Sequence, residues 1–92
     1  MELRFEWDKR KNTANIKKHG VSFEDAALVF KDTKRLEMYD KKNSIFEDRW
    51  KTVGFYTATL LTVITTERSN SVRIISAREA SKKEKEEYFY GY

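Results

Sequence analysis

The sequence has no cysteine, no proline, three glycines and one histidine. Without cysteine there is no disulfide and no thiolate chemistry, and a single histidine leaves no basis for a zinc site. Without proline, one common marker of domain boundaries is missing, and no linker, repeat or low-complexity segment stands out. No apolar run approaches the roughly 20 residues that a membrane-spanning helix needs. The opening MELRFEWDKR alternates apolar and charged residues where a secretory signal would carry an apolar core, so a cytoplasmic protein is expected.

What the chain has in abundance is charge. Of its 92 residues, 37% are charged and 39% hydrophobic, with a formal net charge of +4. A chain of this length is expected to form one domain, residues 1–92, around a single core. Residues 1–20 hold six basic side chains (Arg4, Lys9, Arg10, Lys11, Lys17, Lys18) against three acidic ones (Glu2, Glu6, Asp8). A basic excess at one end favours an acidic partner such as nucleic acid.

Residues 2–7 alternate cleanly, with Leu3, Phe5 and Trp7 on one face, and predict a half-buried strand. Asp8 is placed to cap a helix running to about His19, with Gly20 as its stop. Ser22 with Asp25 resembles a capping box for a second helix, whose Phe23, Ala26, Ala27 and Phe30 share one face. Beyond Asp32 the period becomes two. Strands are expected over 35–39, 49–56, 58–66 and from Val72 onward, joined by short turns that favour antiparallel pairing. A helix over 81–90 closes the chain, with Ser81 and Glu84 as its capping box. The expected class is α+β, in the order β-α-α-β-β-β-β-α, with two N-terminal helices and one C-terminal helix on an antiparallel sheet.

The stretch RIISAREA, residues 73–80, joins two core-like isoleucines to Arg73 and Arg78. A buried guanidinium needs a partner, water or an anion. Ser76 with Glu79 also spells a capping box, so two helix starts compete, at Ser76 and at Ser81. Either start gathers positive charge beside a helix N-terminus, whose free N–H groups favour anions.

The run FEWDKRKNTANIKKHGVSFEDAALVF, then EDRWKTVG, then VRIISAREASKKEKEEY resembles the BrnT toxins of bacterial type II toxin–antitoxin systems. Its most specific pieces are Trp7-Asp8 with Asn15, Lys18-His19-Gly20, and the run from Arg73 to Arg78. The resemblance implies a RelE-like ribonuclease fold, cleavage of messenger RNA without a metal or other cofactor, and inhibition by a BrnA antitoxin.

Metal-free RNA cleavage uses the neighbouring 2′-hydroxyl as nucleophile. The site must remove its proton, stabilise charge on the phosphate and protonate the leaving oxygen. Arginine suits the phosphate because its planar fork stays charged. Arg49, Arg68, Arg73 and Arg78 fall in the expected sheet or its turns, which fits a phosphate site and equally fits strand-edge ion pairs. Arg78 is the leading candidate for the phosphate clamp. Strand alternation puts Arg73 on the opposite face unless a bulge or a helix start intervenes.

The proton acceptor stays open between His19, the sole imidazole of the chain, and Glu47, two residues before Arg49 on the same strand face. His19 could as well only complement the negative end of its helix. Tyr88 could donate a proton, stack a base or anchor its helix, and Lys11, Lys17 and Lys18 could track an RNA backbone or face solvent. Arg68 joins them as a possible RNA contact. The rival readings are a non-catalytic nucleic-acid-binding module, a protein-interaction domain, and a metal-dependent nuclease using Asp40, Glu47 and Asp48.

Overall fold

A computed structural model of the chain describes residues 3–91. Strand β1 is Phe5–Glu6, followed by helices α1 (Lys9–His19) and α2 (Phe23–Leu28). Strands β2 (Leu36–Tyr39), β3 (Trp50–Tyr56), β4 (Thr59–Arg68) and β5 (Ser71–Glu79) follow, and helix α3 (Lys82–Tyr90) ends the chain. Two 3-10 turns, Val29–Lys31 and Lys41–Asn43, interrupt this order where none was expected. Glu2, the first residue of the expected opening strand, lies outside the described residues.

The helix boundaries follow from local chemistry. Asp8 accepts hydrogen bonds from the Arg10 and Lys11 N–H groups at the start of α1. Gly20 ends that helix at φ 72°, a left-handed conformation suited to glycine. Ser22 caps α2 through the Asp25 N–H. The competition at the last helix is resolved in favour of Ser81, because β5 runs on to Glu79 and the Ser81–Glu84 capping box is fully formed.

The sheet has five strands in the order β1-β5-β4-β3-β2. Four of them pair antiparallel, but β1 runs parallel to β5, pairing Phe5 with Val72 and Glu6 with Arg73. The wholly antiparallel sheet expected from sequence is therefore corrected to a mixed one. Short turns dictate antiparallel pairing only between consecutive strands, whereas β1 meets β5 from the far end of the chain.

Helix α2 and the 3-10 turn after it cover one face, with α1 held against β5 through Asn15. Phe23, Ala26 and Val29 pack there on Leu61, Val63, Ile74 and Ala77, all fully or nearly fully buried. Gly54 on β3 faces the same layer, where a Cβ would lie 2.8 Å from Val29 Cγ1. The opposite face carries a second cluster of Val53, Leu60 and Ala80, against which Tyr88 of α3 packs. Helix α3 thus covers one end of that face.

Asn15 is the buried residue of α1, although the helix also contains Ala14 and Ile16. Its amide donates to the carbonyls of Val21 and Ala77 and accepts from the Ala77 N–H. The two-residue β1 stops short of this part of β5. Asn15 therefore does for Ala77 what a longer edge strand would do.

Candidate functional site

On the face opposite α1 and α2, beside the end covered by α3, lies a polar basin of about 350 Å³. Its lining is Asp40, Asn43, Arg49, Lys51, Ile64, Ser76 and Arg78. Register explains the grouping. Lys51, Ile64 and Ser76 stand side by side on β3, β4 and β5. Arg49 precedes Lys51 by two residues, and Arg78 follows Ser76 by two, so both project to the same side.

A bulge in β5 completes the arrangement. Ile64 pairs with Ser76 while Thr65 pairs with Ile74, leaving Ile75 as the extra residue. Ile74 and Ala77 consequently both point into the helix-covered core, three residues apart. The bulge resets the alternation, and Arg73 comes to the same face as Arg78. The regular-strand expectation that the two arginines oppose each other is corrected on this point.

Glu84 organises the cationic side chains. Its carboxylate accepts from Arg78 Nη1 and Nη2 at 2.7 and 3.0 Å, and from Lys51 Nζ at 3.1 Å. Thr62 Oγ1 and the Ser81 N–H also donate to it, at 2.9 and 2.8 Å. Burial opposes ionisation of this carboxyl, but these donors, Arg78 foremost, outweigh it and hold the pKa far below the usual glutamate range. Glu84 is thus a permanently charged anchor and too weak a base to take a proton near neutrality. The same bond raises the pKa of Arg78. Arg78 still has its Nε–H and outer Nη2–H to offer, and Lys51 two further protons.

A second carboxylate stands beside the basin. Glu47 lies 3.5 Å from Arg49 Nη2 and 3.5 Å from Arg68 Nη2. Arg49 Nε is buried with no hydrogen-bond partner among the described residues. Arg73 pairs with Glu6 at 3.6 Å, outside the basin. Strand rise puts it roughly 13–16 Å from Arg78, too far to share one phosphate.

Of the residues singled out from sequence, the fold gathers Arg49 and Arg78 in the basin and sets Glu47 beside them. His19, Lys11, Lys17 and Lys18 are exposed on α1, outside the lining of the basin. Arg68 lines a separate hollow of about 490 Å³, together with Phe30, Arg35, Glu37 and Trp50. Tyr88 donates its hydroxyl to Asp32 at 2.6 Å, and burial with that bond pushes its phenol up to about 12. Asp40 lines the basin, but Asp48 bonds Tyr39 and Glu47 bonds arginines. Among the described residues no three His, Cys, Asp or Glu side chains are grouped to hold a metal ion. No helix among them is long and apolar enough to cross a membrane.

Lys51, which lines the basin, and Glu84, which bonds its cations, were not among the residues singled out from sequence. Lys51 was within reach of the spacing argument that paired Glu47 with Arg49, since it is two residues further along the same strand. Glu84 was seen only as half of a capping box. Its burial depends on contacts with strands more than twenty positions away, which no local pattern encodes.

An α+β chain with a helix-covered core on one sheet face and three cations around a basin on the other has the makings of a polyanion-binding protein. Residues 7–84 match the family model described as ribonuclease toxin, BrnT, of type II toxin-antitoxin system, and the chain belongs to that family. Membership brings an RNA target and an antitoxin partner. Among curated proteins, none matches the chain.

Proposed function

We propose that the chain is a metal-independent endoribonuclease toxin with a RelE-like arrangement, and that the basin of Arg49, Lys51, Ser76 and Arg78 is its catalytic site. The observation that carries this reading is the convergence of three cations from two strands on one open polar hollow. The 2′-hydroxyl attacks the adjacent phosphorus, the bond to the 5′-oxygen breaks, and a 2′,3′-cyclic phosphate forms. Arg78 and Arg49 bind the non-bridging oxygens as their charge grows, with Glu84 holding Arg78 in place. Glu47, beside Arg49, takes the 2′-hydroxyl proton, and the Lys51 ammonium protonates the departing oxygen. His19 is given no role, because it lies on α1 and not among the residues that line the basin. Arg73 meets a neighbouring stretch of the same strand, and α1 adds salt-sensitive attraction through Lys11, Lys17 and Lys18. A BrnA-like antitoxin silences the enzyme by covering the basic surface.

The test is cleavage of labelled RNA by purified protein in excess chelator. Wild type is expected to leave 2′,3′-cyclic phosphate ends, and Arg78→Ala to lower the rate about 10²–10³-fold. Arg49→Ala is the companion variant, since it leaves the Glu84 network intact. Circular dichroism checks that both are folded. Full activity in a folded Arg78→Ala protein, or cleavage that requires added magnesium, would refute the proposal.

A further inference from the structure

The segment between the 3-10 turn Lys41–Asn43 and β3 combines tight fixation with an unpartnered apex. Ser44 Oγ donates to the Asp40 carbonyl at 2.6 Å and accepts from the Arg49 N–H at 2.8 Å. The Asp48 carbonyl accepts from Thr66 Oγ1 at 2.6 Å, and the Asp48 carboxylate accepts from the Tyr39 hydroxyl at 2.8 Å. Glu47 is tied to Arg49 and Arg68. Between these anchors, Ile45 is 79% exposed and Phe46 99% exposed.

A phenyl ring placed wholly in water forgoes on the order of 2 kcal/mol of burial. Flexible loops lose little by leaving a ring exposed, but this loop is hydrogen-bonded at both ends. Its position adds the second observation. Asp40 and Asn43 at its base and Arg49 at its end line the basin, and Lys41 and Lys42 stand exposed beside it. A flat apolar ring on the loop that borders a hollow of about 350 Å³ lined by Arg49, Lys51 and Arg78 matches a nucleotide, whose anionic backbone and aromatic base lie a few ångströms apart.

We propose that Phe46 is a base-stacking platform for the RNA substrate, receiving the base of a nucleotide next to the scissile phosphate. This rests on the ribonuclease reading and adds a binding element to it. Stacking tolerates any base, so the platform holds and orients the strand without specifying sequence. RNA is favoured over a protein partner because the apolar apex is only two residues wide and lies on the loop that borders a basin lined by Arg49, Lys51 and Arg78, whereas protein interfaces centre on a broader apolar patch depleted of charge.

The experiment is steady-state cleavage of short RNAs, each carrying one abasic residue, by wild type, Phe46→Ala and Phe46→Trp. Phe46→Ala is expected to raise KM about tenfold with kcat within about twofold, while Phe46→Trp retains the wild-type KM. Wild type is expected to lose a similar factor at one abasic position flanking the cut, and Phe46→Ala to be indifferent there. If wild type cleaves and Phe46→Ala matches it on every RNA, the platform is overturned and the ribonuclease stands. It is overturned likewise if Phe46→Ala cleaves normally and instead binds the antitoxin more weakly. If wild type cleaves none of the RNAs, the ribonuclease reading falls and the platform with it.

Discussion

Replacing Glu84 by glutamine keeps the shape of the side chain and removes its charge. In the native protein this carboxylate is 5% exposed and receives bonds from Arg78, Lys51, Thr62 and the Ser81 N–H. Breaking a buried ion pair by removing one partner costs about 3–5 kcal/mol. The lower end applies here, because Arg78 is 40% exposed and the amide oxygen still accepts some of the bonds. The expected loss is about 3 kcal/mol at pH 7, a fall in Tm of roughly 12–24 °C for a domain of this size.

The pH dependence makes the expectation specific. The native pKa of Glu84 lies below the usual 4.5, so its stabilisation is complete above that value and drains as pH falls further. At pH 3 the unfolded chain has taken up a proton that the native state refuses, which removes about 2 kcal/mol from wild type and nothing from Glu84→Gln. Urea unfolding of both proteins at pH 7 and pH 3 should therefore show the gap shrinking to about 1 kcal/mol. A gap below about 0.5 kcal/mol at pH 7, or one unchanged at pH 3, would refute the role assigned to Glu84.

Other consequences of the packing are open to the same unfolding assay. Asn15→Ala leaves both polar groups of Ala77 and the Val21 carbonyl without their partner, and a loss of about 2–4 kcal/mol is expected. A loss below about 1 kcal/mol would show that water replaces the amide freely. Gly54→Ala forces a methyl to within 2.8 Å of Val29 Cγ1 and 3.1 Å of Arg35 Cβ, and should cost about 1–3 kcal/mol. An unchanged or raised stability would show that the Val29–Lys31 turn shifts aside without penalty.

Much of the fold was legible because local signals agreed with one another. Asp8, Gly20, Ser22 and the Ser81–Glu84 pair marked helix ends that the structure reproduces, and the change to period two beyond Asp32 located four strands. What escaped was non-local. The direction of β1 depends on a partner more than sixty residues away, and no turn dictates it. The bulge at Ile75 shows only when the opposite strand supplies the register, so the relation between Arg73 and Arg78 was undecidable from alternation alone. At the site, the preference for arginine over lysine as a phosphate ligand singled out Arg49 and Arg78, which the fold brings to one basin. It passed over Lys51, one lysine among many, and weighed His19, which lies on α1 outside the basin.

The shared carboxylate has a further consequence for how activity can be lost. Glu84 is at once the third residue of the capping box of α3 and the group that orients Arg78 and Lys51. Securing the tail and arranging the floor of the basin are therefore one event. Selection for cells that survive the toxin will find inactive alleles scattered along α3, at Tyr88 as well as at Ser81, and not only among residues that meet the substrate. Such alleles would lack toxicity while leaving every basin side chain unchanged in sequence, and a census of spontaneous survivors would map the lever as clearly as the site it holds.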